Sequence, residues 1–148
     1  MFRIVMDVAR ELPHQQFILR LHPLISREQL VRVEPALSNF PPNVRWSTDS
    51  MEQDIKASSW VCYRGTSAVF EAIGGGCQPI YLERSGEMTI DPLYSIGSMK
   101  KSATDKDGLI RILNEPVSDS EYMIHATRKI FAPLKPEVLM DAIKAELQ

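Results

Sequence analysis

Residues 60–82 read Trp60-Val61-Cys62-Tyr63-Arg64-Gly65-Thr66-Ser67-Ala68-Val69-Phe70-Glu71-Ala72-Ile73-Gly74-Gly75-Gly76-Cys77-Gln78-Pro79-Ile80-Tyr81-Leu82. Trp60–Tyr63 is apolar without polar alternation, which predicts a strand covered on both faces. Arg64-Gly65-Thr66-Ser67 breaks that run, and Ala68–Ile73 predicts a very apolar helix. Gly74-Gly75-Gly76 stops the helix, because glycine adopts a left-handed cap conformation at little cost. Pro79–Leu82 is then a second apolar strand. A strand, a helix and another strand of the same kind imply a crossover connection and parallel pairing.

The pattern repeats on either side. Upstream, Met1–Leu12 carries a wide apolar stripe closed by Pro13, which predicts a helix. Phe17–Leu21 predicts a strand, Ser26–Leu37 a helix that Pro35 ends early, and Asn43–Trp46 a short strand after Pro41-Pro42. Ser50 and Gln53 have the capping-box spacing, in which each side chain satisfies the other's backbone amide, so a helix should run from there to about Ala57. Downstream, 83–95 reads as irregular and Gly97–Lys100 as a short fifth strand. Thr104–Leu113, Asp119–Phe131 and Pro136–Leu147 read as helices, the last with proline in its first turn. Strands alternating with helices predict an α/β fold, a Rossmann-like three-layer sandwich with a mostly parallel sheet and helices on both faces.

Composition bounds the function. The chain has 148 residues, 44% hydrophobic and 24% charged, enough for a single domain with its own core. Seventeen basic against nineteen acidic residues give a net charge of −2, which disfavours a polyanion-binding stripe. No apolar run approaches the ~20 residues of a membrane span, and Met1–Leu12 lacks the form of a secretory signal. Cys62 and Cys77 are too few for a disulfide framework and lack metal-ligand spacing, so both are expected reduced, in a cytoplasmic protein, with no metal bound. Cys62 is expected to pack as a small hydrophobe.

Ligands of open parallel sheets bind beyond the carboxyl ends of the strands. Those ends carry Arg20-Leu21-His22-Pro23, Ser47-Thr48-Asp49, Arg64-Gly65-Thr66-Ser67 and Glu83-Arg84-Ser85. Gly65-Thr66-Ser67 opens a helix straight after a buried strand, where unpartnered amides and the helix dipole favour an anion. The plain alternative is that Thr66 or Ser67 is only an N-cap. Glu71, one turn on from Ser67 among apolar neighbours, must reach water, a ligand hydroxyl, or a basic partner such as Arg64 or Arg20. His22 has the chemistry to donate to a phosphate or protonate a leaving one, or it serves as a loop histidine.

The order of R-L-H-P at one strand end, then R-G-T-S-A-V-F-E-A, then G-G-G-C-Q-P-I-Y-L resembles the C-terminal, nucleotide-sugar-binding half of a GT-B glycosyltransferase. More narrowly, it is similar to the bacterial surface and capsular polysaccharide branch with H-P and S/T motifs, which includes sialyl-, polysialyl- and glycerophosphate-type transferases. The likeness covers about Phe17 to Glu83. It implies that His22 contacts the donor phosphate as the catalytic residue, that Thr66 and Ser67 with Gly65 bind the same phosphate, and that Glu71 meets the ribose. Ser47–Asp49 would lie near the base, with Arg20 and Arg64 available to neutralise phosphate.

The substrate so implied is a CMP-, CDP- or UDP-linked sugar, with no separate cofactor. In such enzymes the general base and acceptor site belong to an N-terminal half, which would make this chain an excerpt with Met1 internal or introduced. Alone it is expected to bind nucleotide without turnover, and the missing part would carry any peripheral contact with the inner membrane. A sheet of order 3-2-1-4-5-6 that lacks its central strand should close up, with Phe17–Leu21 pairing to Trp60–Tyr63, or borrow a strand from another copy. Sugar-nucleotide 2-epimerases and a non-catalytic α/β interaction domain are the competing readings.

Overall fold

The computed structural model describes residues 1–84, 86, 91–95, 100–117, 121–130 and 136–146. The elements are α1 (Phe2–Glu11), β1 (Phe17–Leu19), α2 (Arg27–Val33), a 3₁₀ turn (Pro35–Ser38), β2 (Val44–Trp46), α3 (Met51–Lys56), β3 (Trp60–Tyr63), α4 (Ala68–Gly74), β4 (Gln78–Leu82), β5 (Lys101–Ala103), α5 (Lys106–Leu113), α6 (Glu121–Ile130) and α7 (Pro136–Glu146). The protein is an α/β fold in which every strand pair is parallel.

Local chemistry explains the boundaries. Ser26 and Ser50 each form a capping box, with Gln29 and Gln53 respectively. Pro35 ends α2 and starts the 3₁₀ turn, since its ring and missing N–H stop α-helical bonding. β1 stops at Leu19, two residues earlier than the sequence suggests, because Leu19 O accepts the Ser47 N–H at 2.8 Å and closes the ladder. β5 lies just beyond the segment expected to be a strand; residues 97–99 of that expectation are outside the described residues. Asp105 caps α5 by accepting the Gly108 N–H at 2.7 Å.

The glycines that end α4 have different tasks. Gly76 has φ 98°, the left-handed conformation that favours glycine. Gly75 does not. A Cβ placed there would meet Ile55 Cγ2 at 2.2 Å, so Gly75 lets α3 pack close.

Helices cover both faces of β3-β4-β5. Trp60, Cys62, Ile80, Leu82 and Ala103 join Val5, Met6, Val8 and Ala9 of α1 and Leu109, Ile112 and Leu113 of α5 in one apolar cluster. Val61, Tyr63 and Tyr81 point the other way and pack with Val69 and Ile73 of α4, Leu93, and Met123 of α6. The alternation follows from the two-residue period of a strand. β4, paired on both sides, is buried along its whole length.

The strands form two groups, β1-β2 and β3-β4-β5, and Phe17–Leu19 does not pair with Trp60–Tyr63. The expected closure of the sheet is therefore not made among the described residues. Leu19 and Val44 nevertheless share the α1 and α5 cluster, so α1 lies over both groups. Asn43 fixes its lower end: the buried amide Nδ2 donates to Ala9 O (2.8 Å), Leu12 O (3.0 Å) and Gln15 O (2.8 Å), while Asn43 O accepts the Phe17 N–H. The carboxyl end of α1 thus sits at the amino ends of β1 and β2.

Candidate functional site

The chain leaves β1 and β2 at their carboxyl ends, and a cleft of about 320 Å³ opens between the two exits. Its walls include Arg20 and His22 beyond β1, Arg27 at the start of α2, Trp46 at the end of β2, and Ser47 and Asp49 beyond it. A cleft of this size suits a small organic ligand.

Arg20 is the best-anchored cation there. Its Nη1 donates to Ser47 Oγ (2.8 Å), Asp49 O (2.9 Å) and Asp54 Oδ2 (2.6 Å). Ser47 Oγ in turn donates to the same Asp54 oxygen at 2.5 Å. The Asp54 side chain is 9% exposed and that of Arg20 is 38% exposed, so the carboxylate is held inside while the guanidinium reaches the cleft. Among the described residues all these contacts use Nη1, which leaves the remaining guanidinium N–H groups able to meet a planar anion. Asp54 Oδ1 is buried without a hydrogen-bond partner among the described residues.

His22 is exposed, and its Nδ1 accepts the Leu24 N–H at 3.2 Å. A ring nitrogen that accepts a backbone bond carries no proton in the neutral imidazole, so the proton lies on Nε2. The loop contact expected as the plain alternative therefore exists. Trp46 supplies an aromatic wall: Phe40 packs against it at 4.9 Å and the Arg27 guanidinium lies 5.5 Å over its ring.

The other expected site residues, Arg64 to Ser67 in the β3–α4 connection and Glu71 in α4, are not in the wall of this cleft. Gly65 has φ 63° and makes the turn that no other residue type makes cheaply. Thr66 Oγ1 accepts the Ala68 N–H at 3.3 Å, a local turn bond. Ser67 occupies the N-cap of α4 but its side chain makes no capping bond, so capping does not account for its hydroxyl. Arg64 is half-buried, and Glu71 is exposed while Val69, Ala72 and Ile73 are buried. Glu71 resolves the cost of a carboxylate on an apolar helix by facing water.

Asp54, Arg27 and Trp46 were not among the residues the sequence marked. Asp54 had a signal: with Met51, Ile55 and Ser58 it falls on one helical stripe, which puts a carboxylate on the inward side of α3. Arg27 and Trp46 had none, since their meeting requires β1 and β2 to pair. A second, smaller cleft of about 190 Å³ has Glu83, Asp105 and Glu115 against the single cation Arg111, a poor match for an anion. Cys62 is no nucleophile at neutral pH, because burial pushes its thiol up to about 12. Among the described residues no group of three His, Cys, Asp or Glu side chains is placed to hold a metal, and no helix is long and apolar enough to cross a membrane.

No family model, no curated protein and no solved structure matches the chain.

Proposed function

We propose that this chain is the donor-nucleotide-binding domain of a GT-B-type glycosyltransferase of bacterial surface polysaccharide synthesis, acting in the cytoplasm on a sugar linked to CMP, CDP or UDP. The observation that carries the reading is the cleft at the carboxyl ends of β1 and β2, whose wall holds Arg20, His22 and Arg27 together with Trp46. Two guanidinium groups and a histidine donor are the equipment for phosphate, and an indole face suits a base or ribose. On this reading Arg20, held by Asp54, takes the phosphate and His22 Nε2 donates to it as the glycosidic bond to the sugar breaks. The resemblance assigns part of the phosphate to Thr66 and Ser67 and the ribose to Glu71. The acceptor and the general base belong to a further, N-terminal domain, through which any contact with the inner membrane would be made.

The test is a thermal-shift panel of CMP, CDP, UMP, UDP and GDP on this chain. A nucleotide at about a hundred times its Kd should add about 2.7 kcal/mol of stability. Arg20→Gln and His22→Ala should each weaken that nucleotide at least tenfold. If Thr66→Ala with Ser67→Ala leaves affinity within about twofold, some 0.4 kcal/mol, the β3–α4 turn does not hold the phosphate. If no nucleotide shifts the melting temperature, the reading fails and an interaction domain takes its place. Sugar-nucleotide 2-epimerization is separated by product analysis of a longer protein carrying both halves.

A further inference from the structure

Where the chain leaves β2, the wall of the cleft runs from Trp46 through Ser47 and Thr48 to Asp49. Arg20 lies on this stretch, with Nη1 2.8 Å from Ser47 Oγ and 2.9 Å from Asp49 O. Ser47 has little left to offer a ligand, because its hydroxyl gives its hydrogen to Asp54 and accepts one from Arg20. Thr48 is exposed, and its hydroxyl accepts or donates alike, so it does not discriminate. Asp49 differs from both. Among the described residues it is the one carboxylate in the wall, and an ionised carboxylate only accepts. Its side chain is 47% exposed, its Oδ2 meets Arg45 Nη2 at 3.4 Å, and its Oδ1 has no hydrogen-bond partner among the described residues. An exposed ion pair of that length contributes little, so the carboxylate is available to a ligand. The carbonyl of the same residue holds Arg20, which keeps carboxylate and guanidinium side by side.

We propose that Asp49 is the specificity-determining residue of this cleft, its carboxylate accepting from the ribose hydroxyls of a nucleotide whose phosphate lies on Arg20. The inference rests on the nucleotide reading above and narrows it to ribonucleotides. A nucleotide carries its ribose between base and phosphate, and the stretch between Trp46 and the Arg20 contacts is where Asp49 stands. Two adjacent hydroxyls match the two oxygens of one carboxylate, and hydrogen bonds to a charged acceptor are stronger than those between neutral groups. The same carboxylate acts against ligands that bring charge alone. Asp54 already answers Arg20, and Asp49 adds repulsion that only a ligand with hydroxyl donors offsets. The resemblance gives the ribose to Glu71, but Glu71 is outside this wall, so within the cleft the diol falls to Asp49.

Isothermal titration calorimetry with CMP, CDP, UMP, UDP and GDP, each beside its 2′-deoxy counterpart, tests this. The ribonucleotide that binds should do so about tenfold more tightly than its 2′-deoxy form, well below the discrimination of a fully buried site because water reaches Asp49. Asp49→Ala should weaken the ribonucleotide about tenfold and leave the 2′-deoxy form within about twofold, which also shows that the cleft still folds. Should Asp49→Ala melt well below the parent, Asp49→Asn, which keeps the shape without the charge, should cut the preference at least about threefold. Equal affinity of the parent chain for the two forms would overturn the proposal while leaving the nucleotide reading in place. A parallel loss of both forms in a folded Asp49→Ala would also overturn it, since Asp49 would then only support Arg20. So would a preference that survives Asp49→Ala and disappears in Glu71→Gln, which gives the ribose to Glu71. If no nucleotide binds, the nucleotide reading fails and this inference falls with it.

Discussion

Asn43→Ala should be among the most damaging single changes outside the apolar core. The Asn43 side chain is buried, and its two amide hydrogens serve three carbonyl oxygens, those of Ala9, Leu12 and Gln15, at 2.8 to 3.0 Å. Two lost hydrogen bonds account for about 2 kcal/mol, and carbonyls left dry at the end of α1 add about 1–2 kcal/mol. The expected loss of about 3–4 kcal/mol corresponds to a fall in Tm on the order of 10 °C for a domain of this size. Urea denaturation at pH 7 measures it directly. Asn43→Asp sharpens the test, because a carboxylate has the same shape but donates nothing and faces three acceptors. It should be at least as damaging at pH 7. The folded state then holds a proton on that carboxyl more tightly than the unfolded chain does, so stability should partly recover as pH falls toward 4. A loss under about 1 kcal/mol for Asn43→Ala, or an Asn43→Asp variant as stable as the parent at pH 7, would refute the role of this amide in anchoring α1.

Gly75→Ala should lose about 1–3 kcal/mol in denaturant melts, because its Cβ would run into Ile55 Cγ2 at 2.2 Å. Gly74→Ala, with nothing within 4 Å, should instead gain about 0.5–1 kcal/mol; equal effects at both positions would contradict the packing of α3 on the end of α4. Burial raises Cys62 to about 12 and also raises Tyr63 and Cys77, so the unfolded chain releases these protons first and stability should fall from about pH 9 upward. Cys62→Val should make that alkaline decline shallower, as read by Tm against pH, and neither native thiol should react with iodoacetamide at pH 8 before unfolding.

Much of the fold is legible in local chemistry. The capping box at Ser50, the break at Pro35, and the apolar runs read at Phe17–Leu21, Trp60–Tyr63 and Pro79–Leu82 are short-range effects that a few neighbouring residues settle. The strand boundary at Leu19 and the shift of β5 to Lys101–Ala103 are not, since pairing partners decide where a ladder ends. In the site, Arg20 and His22 are marked by their position at a strand end. The contact of Arg20 with Asp54 joins residues far apart in sequence through the pairing of β1 with β2 and the entry of α3.

By itself, then, the sequence determined an α/β chain of parallel strands with donors gathered at their carboxyl ends, because periodicity, capping and turn chemistry act over a few residues. Only the tertiary structure decided that the strands part into β1-β2 and β3-β4-β5 beneath a shared α1, and that Arg20, His22, Arg27 and Trp46 meet in one cleft while Thr66 and Ser67 lie outside its wall. Strand order and side-chain convergence depend on which backbone edges are satisfied by distant partners, and no local pattern encodes that choice.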